Sequence, residues 1–307
     1  MIEVIIMINK NRKIKASKSR EPMTLFTGTL FVILIIYSLA LLGLFGWSLM
    51  TAFKSASEFR VNKFDLPQNW TFENFTKAFT TMGVDVILDG RPVKILPLMQ
   101  LIYSIIYAGG GALLLTIVPC VVAYVTAKYP CKFSTFINTF VIVVMVIPIV
   151  GSQASELALI KELHMYDTLW GAMIQKFSFL GTYYLVFYAS FKSVSKTYTE
   201  AAQIDGAGEF TVMSKIVMPL MFNIIGAVYI IKFIELWNDY QTPMLYLPSY
   251  PTLAYGVYYT SVLKNSAAIG PTVRIAASVM VALPVVVLFA LFKEKLMGKL
   301  SMGGIKE

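Results

Sequence analysis

Four stretches of this chain carry no Asp, Glu, Lys or Arg over lengths that no ordinary soluble core element needs: residues 24–52, 95–127, 133–155 and 275–292. About 20 consecutive apolar residues are enough for a helix to cross the hydrocarbon layer of a bilayer. Two further runs have the same length with charges inside them: 168–191 contains Lys176, and 222–247 contains Lys232, Glu235 and Asp239. These runs predict an all-α polytopic membrane protein with six transmembrane helices at about 24–50, 99–127, 133–155, 168–191, 220–247 and 274–292. Only 14% of residues are charged, against roughly a quarter in soluble domains.

The net charge of +9 has to be read by location. With both termini on one side, that side collects 15 of the 26 Lys and Arg; the opposite loops hold nine, mixed with acids. The bias of basic residues towards cytoplasmic loops then places both ends in the cytoplasm. Residues 1–23 form a basic arm, 24–292 the membrane domain and 293–307 a cytoplasmic tail. The charge follows membrane boundaries instead of forming one patch, so nucleic acid is not an expected partner. The first apolar run is too long for a cleaved signal and lacks an A-x-A site, so it reads as an uncleaved signal anchor. The opening "MIEVIIMI" suggests that translation starts at Met7.

Cys120 falls in an apolar run and Cys131 in a turn, so the pair reads as reduced and incidental. With the single His164 they form no ligand cluster, and no metal is expected. Residues 71–79 predict a short helix capped by Thr71 with Phe72, Phe75 and Phe79 on one face. "LDGRPV" at 88–93 predicts a turn. Pro119, Pro148 and Pro284 predict kinks within crossings, and Gly109, Gly110 and Gly111 predict close helix packing. Glu235, Trp237, Asn238 and Asp239 either anchor the end of the fifth crossing at the interface or line a polar substrate route. Ionisable groups at membrane depth usually face a bundle interior.

The stretch "EAAQIDGAGEFTVMSKIVMPL" (200–220) is polar-edged between apolar runs. Thr197 and Glu200 have capping-box spacing, the helix is expected to run to about Asp205, and Gly206 suits the left-handed residue that ends it. A second helix is expected from about Gly208–Glu209. Tyr198, Ala201, Ala202 and Asp205 share one face, whose small residues allow a partner surface to approach closely. The competing reading is an amphipathic helix lying on the bilayer.

That stretch resembles the EAA loop of ABC-importer permeases, whose pattern Glu200, Ala201, Ala202, Gly206, Ile216 and Pro219 match, with Met218 where a Leu is usual. "NWTFENF" (69–75), "WNDYQTPMLYL" (237–247) and the last crossing are similar to segments of the carbohydrate permeases of the maltose-transporter type. The tail "GKLSMGGIKE" resembles the family's, with Lys299 and Glu307 in place of glycines. The resemblance implies an ABC type I importer permease fold in a bacterial cell membrane, with residues 193–219 as a cytoplasmic coupling helix loop. It implies four kinds of partner: an ABC ATPase dimer, a second homologous permease subunit, an extracytoplasmic sugar-binding protein and membrane lipid. The chain has no Walker A pattern, so no cofactor is expected in it and no catalysis; ATP and magnesium belong to the partner ATPases. The implied function is sugar or oligosaccharide import, the alternative being a non-sugar importer of peptides, amino acids or polyamines.

Overall fold

The structure is a computed structural model that describes residues 24–88, 90–147, 151–263 and 269–297. The basic arm, Asp89 of the expected turn, Pro148 and the end of the tail lie outside the described residues. The chain divides into two compact units, 1–47 and 48–307. The described part of the first is the bulk of helix α1 (Leu25–Ala52). Leu30, Leu34, Ile36 and Leu42 are all exposed there, so the helix is apolar around its whole circumference, as a lipid-facing span must be.

The second unit begins with two short helices, α2 (Ala56–Val61) and α3 (Glu73–Thr81). Helix α3 starts two residues later than the sequence predicts: Thr71 Oγ1 accepts the Glu73 amide at 3.1 Å, and Phe72 holds the cap position. Phe72 and Phe75 both pack on Phe53, with centroids 5.2 and 5.0 Å away. The expected turn at 88–93 proves to be the tip of an antiparallel hairpin, β1 (Val84–Leu88) and β2 (Arg91–Ile95), in register Val84 to Ile95 and Leu88 to Arg91. Alternate residues Val84 and Val86 point into a small cluster with Ile95, a period-two pattern that suits strands. Gly90 at φ 73° takes the left-handed turn position. The described residues are therefore mostly helical with one β-hairpin, and not wholly helical.

Among the described residues, three helices are long and apolar enough to cross a membrane: α1, α4 (Pro97–Lys128) and the last, Pro271–Lys293. Within α4 a π-helical segment runs from Ile105 to Gly110. A Cβ at Gly111 would come within 2.7 Å of Leu236 Cδ1, and one at Gly110 within 3.0 Å of Met173 Sδ. The glycines thus admit side chains from two neighbouring helices. The helix assignment runs through Pro119.

The other expected crossings are interrupted. Residues 133–155 fold as α5 (Lys132–Val146), followed after a break by α6 (Gln153–Glu162). Residues 168–191 fold as α7 (Leu169–Gln175) and α8 (Thr182–Ser193), separated at 176–181, where Gly181 has φ 130°. Non-helical backbone at membrane depth is tolerated where protein or a cavity covers it. After α9 (Lys196–Ile204) and α10 (Glu209–Leu220), the chain bends by 74° into α11 (Phe222–Trp237). Then follow α12 (Gln241–Tyr246), α13 (Leu253–Tyr258) and α14 (Pro271–Met297), which runs through Pro284 and beyond the expected end at 292.

Two buried clusters make the core of the second unit. One joins α4, α11 and α14 through Tyr107, Leu236, Trp237 and Ala276. The other joins α4, α8, α9, α10 and α11 through Tyr124, Phe191, Ala202, Val212 and Val228.

Candidate functional site

Two groups of residues stand out, one in the 193–220 segment and one where α11 gives way to α12. The first is built on α9. Ser195 is extended (φ −56°, ψ 137°), and its hydroxyl accepts the Thr197 amide at 3.2 Å. The cap is therefore Ser195 and not Thr197, which lies inside the helix, so Glu200 does not occupy the third helical position of a capping box. Its side chain is exposed.

The far end of α9 follows the expectation closely. Ile204 is the last helical residue, Asp205 the cap, and Gly206 takes φ 80°. The Ala207 amide donates to Ala202 O at 2.9 Å and the Gly206 amide to Gln203 O at 3.0 Å, the paired bonds of a glycine-terminated helix. Helix α10 begins at Glu209, passes through a π-helical segment at Val212–Val217, and carries exposed Pro219 near its end.

Tyr198, Ala201, Ala202, Asp205, Ala207 and Ile216 line an open concavity of about 630 Å³. The two alanines face different surroundings. Ala201 is exposed, whereas Ala202 is only 6% exposed and packs in the cluster holding Tyr124, Phe191 and Val212. A small residue at 202 lets α9 lie close on the chain's own helices, and Ala201 leaves the outer face open. Ile204 and Phe210 also stand exposed, two large apolar side chains that the helical-face reading omitted.

Three polar contacts that the sequence does not announce order this segment, two of them holding it to the end of α4 and one tying α9 to α10 within it. The Glu209 carboxylate accepts from the Tyr129 hydroxyl and, at 3.0 Å, from Gln203 Nε2. Lys128 Nζ donates to Val194 O at 2.9 Å. Partial burial, and then the bonded Glu209 carboxylate, push the Tyr129 phenol above its usual range, because both disfavour a phenolate.

The second group does not act as one cluster. Glu235 pairs with Lys232 at 2.7 Å, with the carboxylate side chain 59% exposed. Trp237 is buried and donates its indole N–H to Val281 O at 3.0 Å. Asn238 is exposed and donates to Ile234 O at 2.8 Å, closing the end of α11. Asp239 reaches α4: it accepts the Tyr107 hydroxyl at 2.8 Å, and locally the Thr242 amide at 3.0 Å. Lys176 Nζ lies 5.5 Å from the Tyr107 ring centroid. Tyr107 and Lys176 thus join Asp239 in a polar locus inside otherwise apolar packing. Lys176 and Asp239, charged residues inside apolar runs, were the hints the sequence offered of it, and nothing local marked Tyr107.

The family described as "binding-protein-dependent transport system inner membrane component" matches residues 117–294, more than half of the chain. The chain is 24% identical to the diacetylchitobiose uptake system permease protein NgcG of Streptomyces coelicolor, over 91% of this chain and 88% of that one. It is 26% identical to the melibiose/raffinose/stachyose import permease protein MelC of Bacillus subtilis, over 84% and 89%. Its fold is similar to that of a chain in the crystal structure of a bacterial ABC transporter involved in import of the acidic polysaccharide alginate. That likeness has a TM-score of 0.66 at 19% identity and covers 88% of this chain and 95% of that one.

Proposed function

Since the chain belongs to the family of binding-protein-dependent transport system inner membrane components, we propose that it is the permease subunit of an ATP-driven sugar or oligosaccharide importer. The substrate class rests on relatives named for diacetylchitobiose and for melibiose, raffinose and stachyose, and these favour the sugar reading over peptides, amino acids or polyamines. The chain spans the bacterial cell membrane six times, through α1, α4, α5, the α7–α8 pair, α11 and α14, with both termini in the cytoplasm. Its complex holds an ATPase dimer that binds ATP and magnesium, a second homologous permease and an extracytoplasmic sugar-binding protein.

In this reading 193–219 is the coupling loop. Glu200, Ala201, Asp205 and Ile216 meet the ATPase, Ala202 seats α9 on the permease, Gly206 sets the turn, and Pro219 marks the passage towards α11. ATP-driven closure of the ATPases displaces α9 and α10, and the crossings rock between inward- and outward-open arrangements around a site near mid-membrane. The substrate pathway passes Asp239, where Tyr107 and Lys176 converge. The observation that carries the proposal is the α9 face: a helix ended by a left-handed glycine, buried at Ala202 and open at Ala201 around the concavity.

Affinity purification of the tagged chain from its native membranes, with mass spectrometry of what co-purifies, tests it. Recovery of an ABC ATPase, a second permease and a sugar-type binding protein is the expected result. Absence of any ATPase, under conditions that keep a known importer intact, would overturn the reading.

A further inference from the structure

Two contacts between the 193–220 segment and the end of α4, together with one inside the segment, form a defined mechanical joint. Glu209 opens α10 and accepts from Gln203 in α9, so its carboxylate ties the two short helices together. The same carboxylate takes the hydroxyl of Tyr129, which follows the last residue of α4. Tyr129 is itself fixed from the other side: Ser134, in the first turn of α5, donates its hydroxyl to Tyr129 O at 2.7 Å. The Tyr129 ring also meets the ring of Tyr124, which is buried against Phe191 of α8. Lys128 adds a second strut one residue away, its ammonium on Val194 O just ahead of α9.

We propose that Glu209 and Tyr129 are positioning residues that lock the α9–α10 segment to the α4–α5 turn, so that a displacement of the segment is delivered directly to the second and third crossings. This rests on the coupling-loop reading above and adds a route that reading lacks. Continuity of the chain delivers motion only to α8 and α11, the helices that flank the segment. Of these junctions, the one into α11 is bent by 74°, a poor strut along its own axis. A carboxylate accepting from two donors is stronger than a neutral contact, and it joins three elements at one atom group. The joint is partly exposed, so it acts by geometry more than by contributing stability.

The test uses the assembled transporter with spin labels on this chain at Lys132→Cys and Lys215→Cys, in a Cys120→Ser, Cys131→Ser background. Inter-label distances are measured without nucleotide and after trapping with ATP, magnesium and orthovanadate. With the joint intact, trapping leaves the distance distribution unchanged, because the α4–α5 turn and α10 move as one body. In Tyr129→Phe and Glu209→Ala proteins, trapping shifts it by about 2–5 Å, the scale of helix displacements at switching interfaces. Glu209→Gln keeps an acceptor for the phenol and restores the unshifted result. A wild-type joint that shifts on trapping, or variants that trap without shifting, would overturn the inference while leaving the coupling loop standing. Loss of the ATPases from purified Tyr129→Phe complexes would also overturn it, by assigning the residue to assembly. If no ATPase accompanies even the wild-type chain, the coupling reading itself falls, and the joint falls with it.

Discussion

Around residues 52–104 buried amides close the structure on itself. Asn74 donates to Ala52 O at 2.8 Å and Lys54 O at 2.6 Å, and its Oδ1 takes the Thr272 hydroxyl at 3.2 Å. Gln100, fully buried, donates to Met82 O and Ile95 O at 2.8 and 2.9 Å. Around 193–220 the polar contacts lie towards the surface, and the segment is held by Glu209, Lys128 and the buried apolar side chains of Ala202, Val212 and Val217. Apolar exposure does not separate the two ends: Trp70 and Phe72 are as open as Tyr198 and Phe210. What separates them is where their polar contacts lie, on buried amides in one and towards the surface in the other. An end pinned by buried amides has one geometry. An end held by surface contacts can be displaced by a partner without leaving buried groups unpaired, and that displacement is what a coupling segment needs.

Substitutions at the two ends sharpen this contrast. Asn74→Leu has the largest expected effect on the chain itself. It strands two buried carbonyls and the Thr272 hydroxyl, at roughly 1–3 kcal/mol for each unsatisfied group. With about 2–4 °C per kcal/mol, the purified protein should melt at least about 6 °C lower. A melting point within about 2 °C of wild type would erase the distinction between the ends.

Gly206→Val comes next. A β-branched residue at φ 80° costs about 1–2 kcal/mol, so melting should fall by only about 2–8 °C. Uptake of labelled oligosaccharide per ATP hydrolysed should nevertheless collapse. Full coupled uptake by this variant would remove the rigid turn from the mechanism.

Phe210→Ser and Ile204→Ser should leave melting nearly unmoved, because exposed side chains contribute within about 0.5 kcal/mol. The yield of co-purified ATPase should drop roughly tenfold, equivalent to about 1.4 kcal/mol at the interface. If ATPase yield is unchanged while melting falls, the face belongs to the chain's own packing. Glu235→Gln should do least, since an exposed ion pair is worth under about 1 kcal/mol. An uptake rate more than tenfold lower would bring Glu235 into the substrate route beside Asp239.

Much of this protein was legible in its residues because the relevant signals are local. A bilayer demands about 20 apolar residues in a row, and runs such as 24–52 and 275–292 state that without reference to anything else in the chain. Gly206 was legible for the same reason: a left-handed position after a capped helix is a property of a few adjacent residues. The hairpin strands were missed because five-residue segments give a weak periodic signal beside long apolar runs. The true cap at Ser195 was missed because two hydroxyl residues stood within two positions of each other, and local sequence does not choose between them.

The sequence by itself determined which segments prefer lipid and where the polar island lies, since composition and short-range backbone preference decide those. Only the tertiary structure decided that Ala202 turns inward while Ala201 stays open, that residues 168–191 break at Lys176–Gly181, and that Asp239 finds Tyr107. It alone joined Tyr129 to Glu209. These pairs stand 132 and 80 residues apart. Contacts of that separation depend on how whole helices pack, and packing answers to shape and buried polar satisfaction, which no short window of sequence contains.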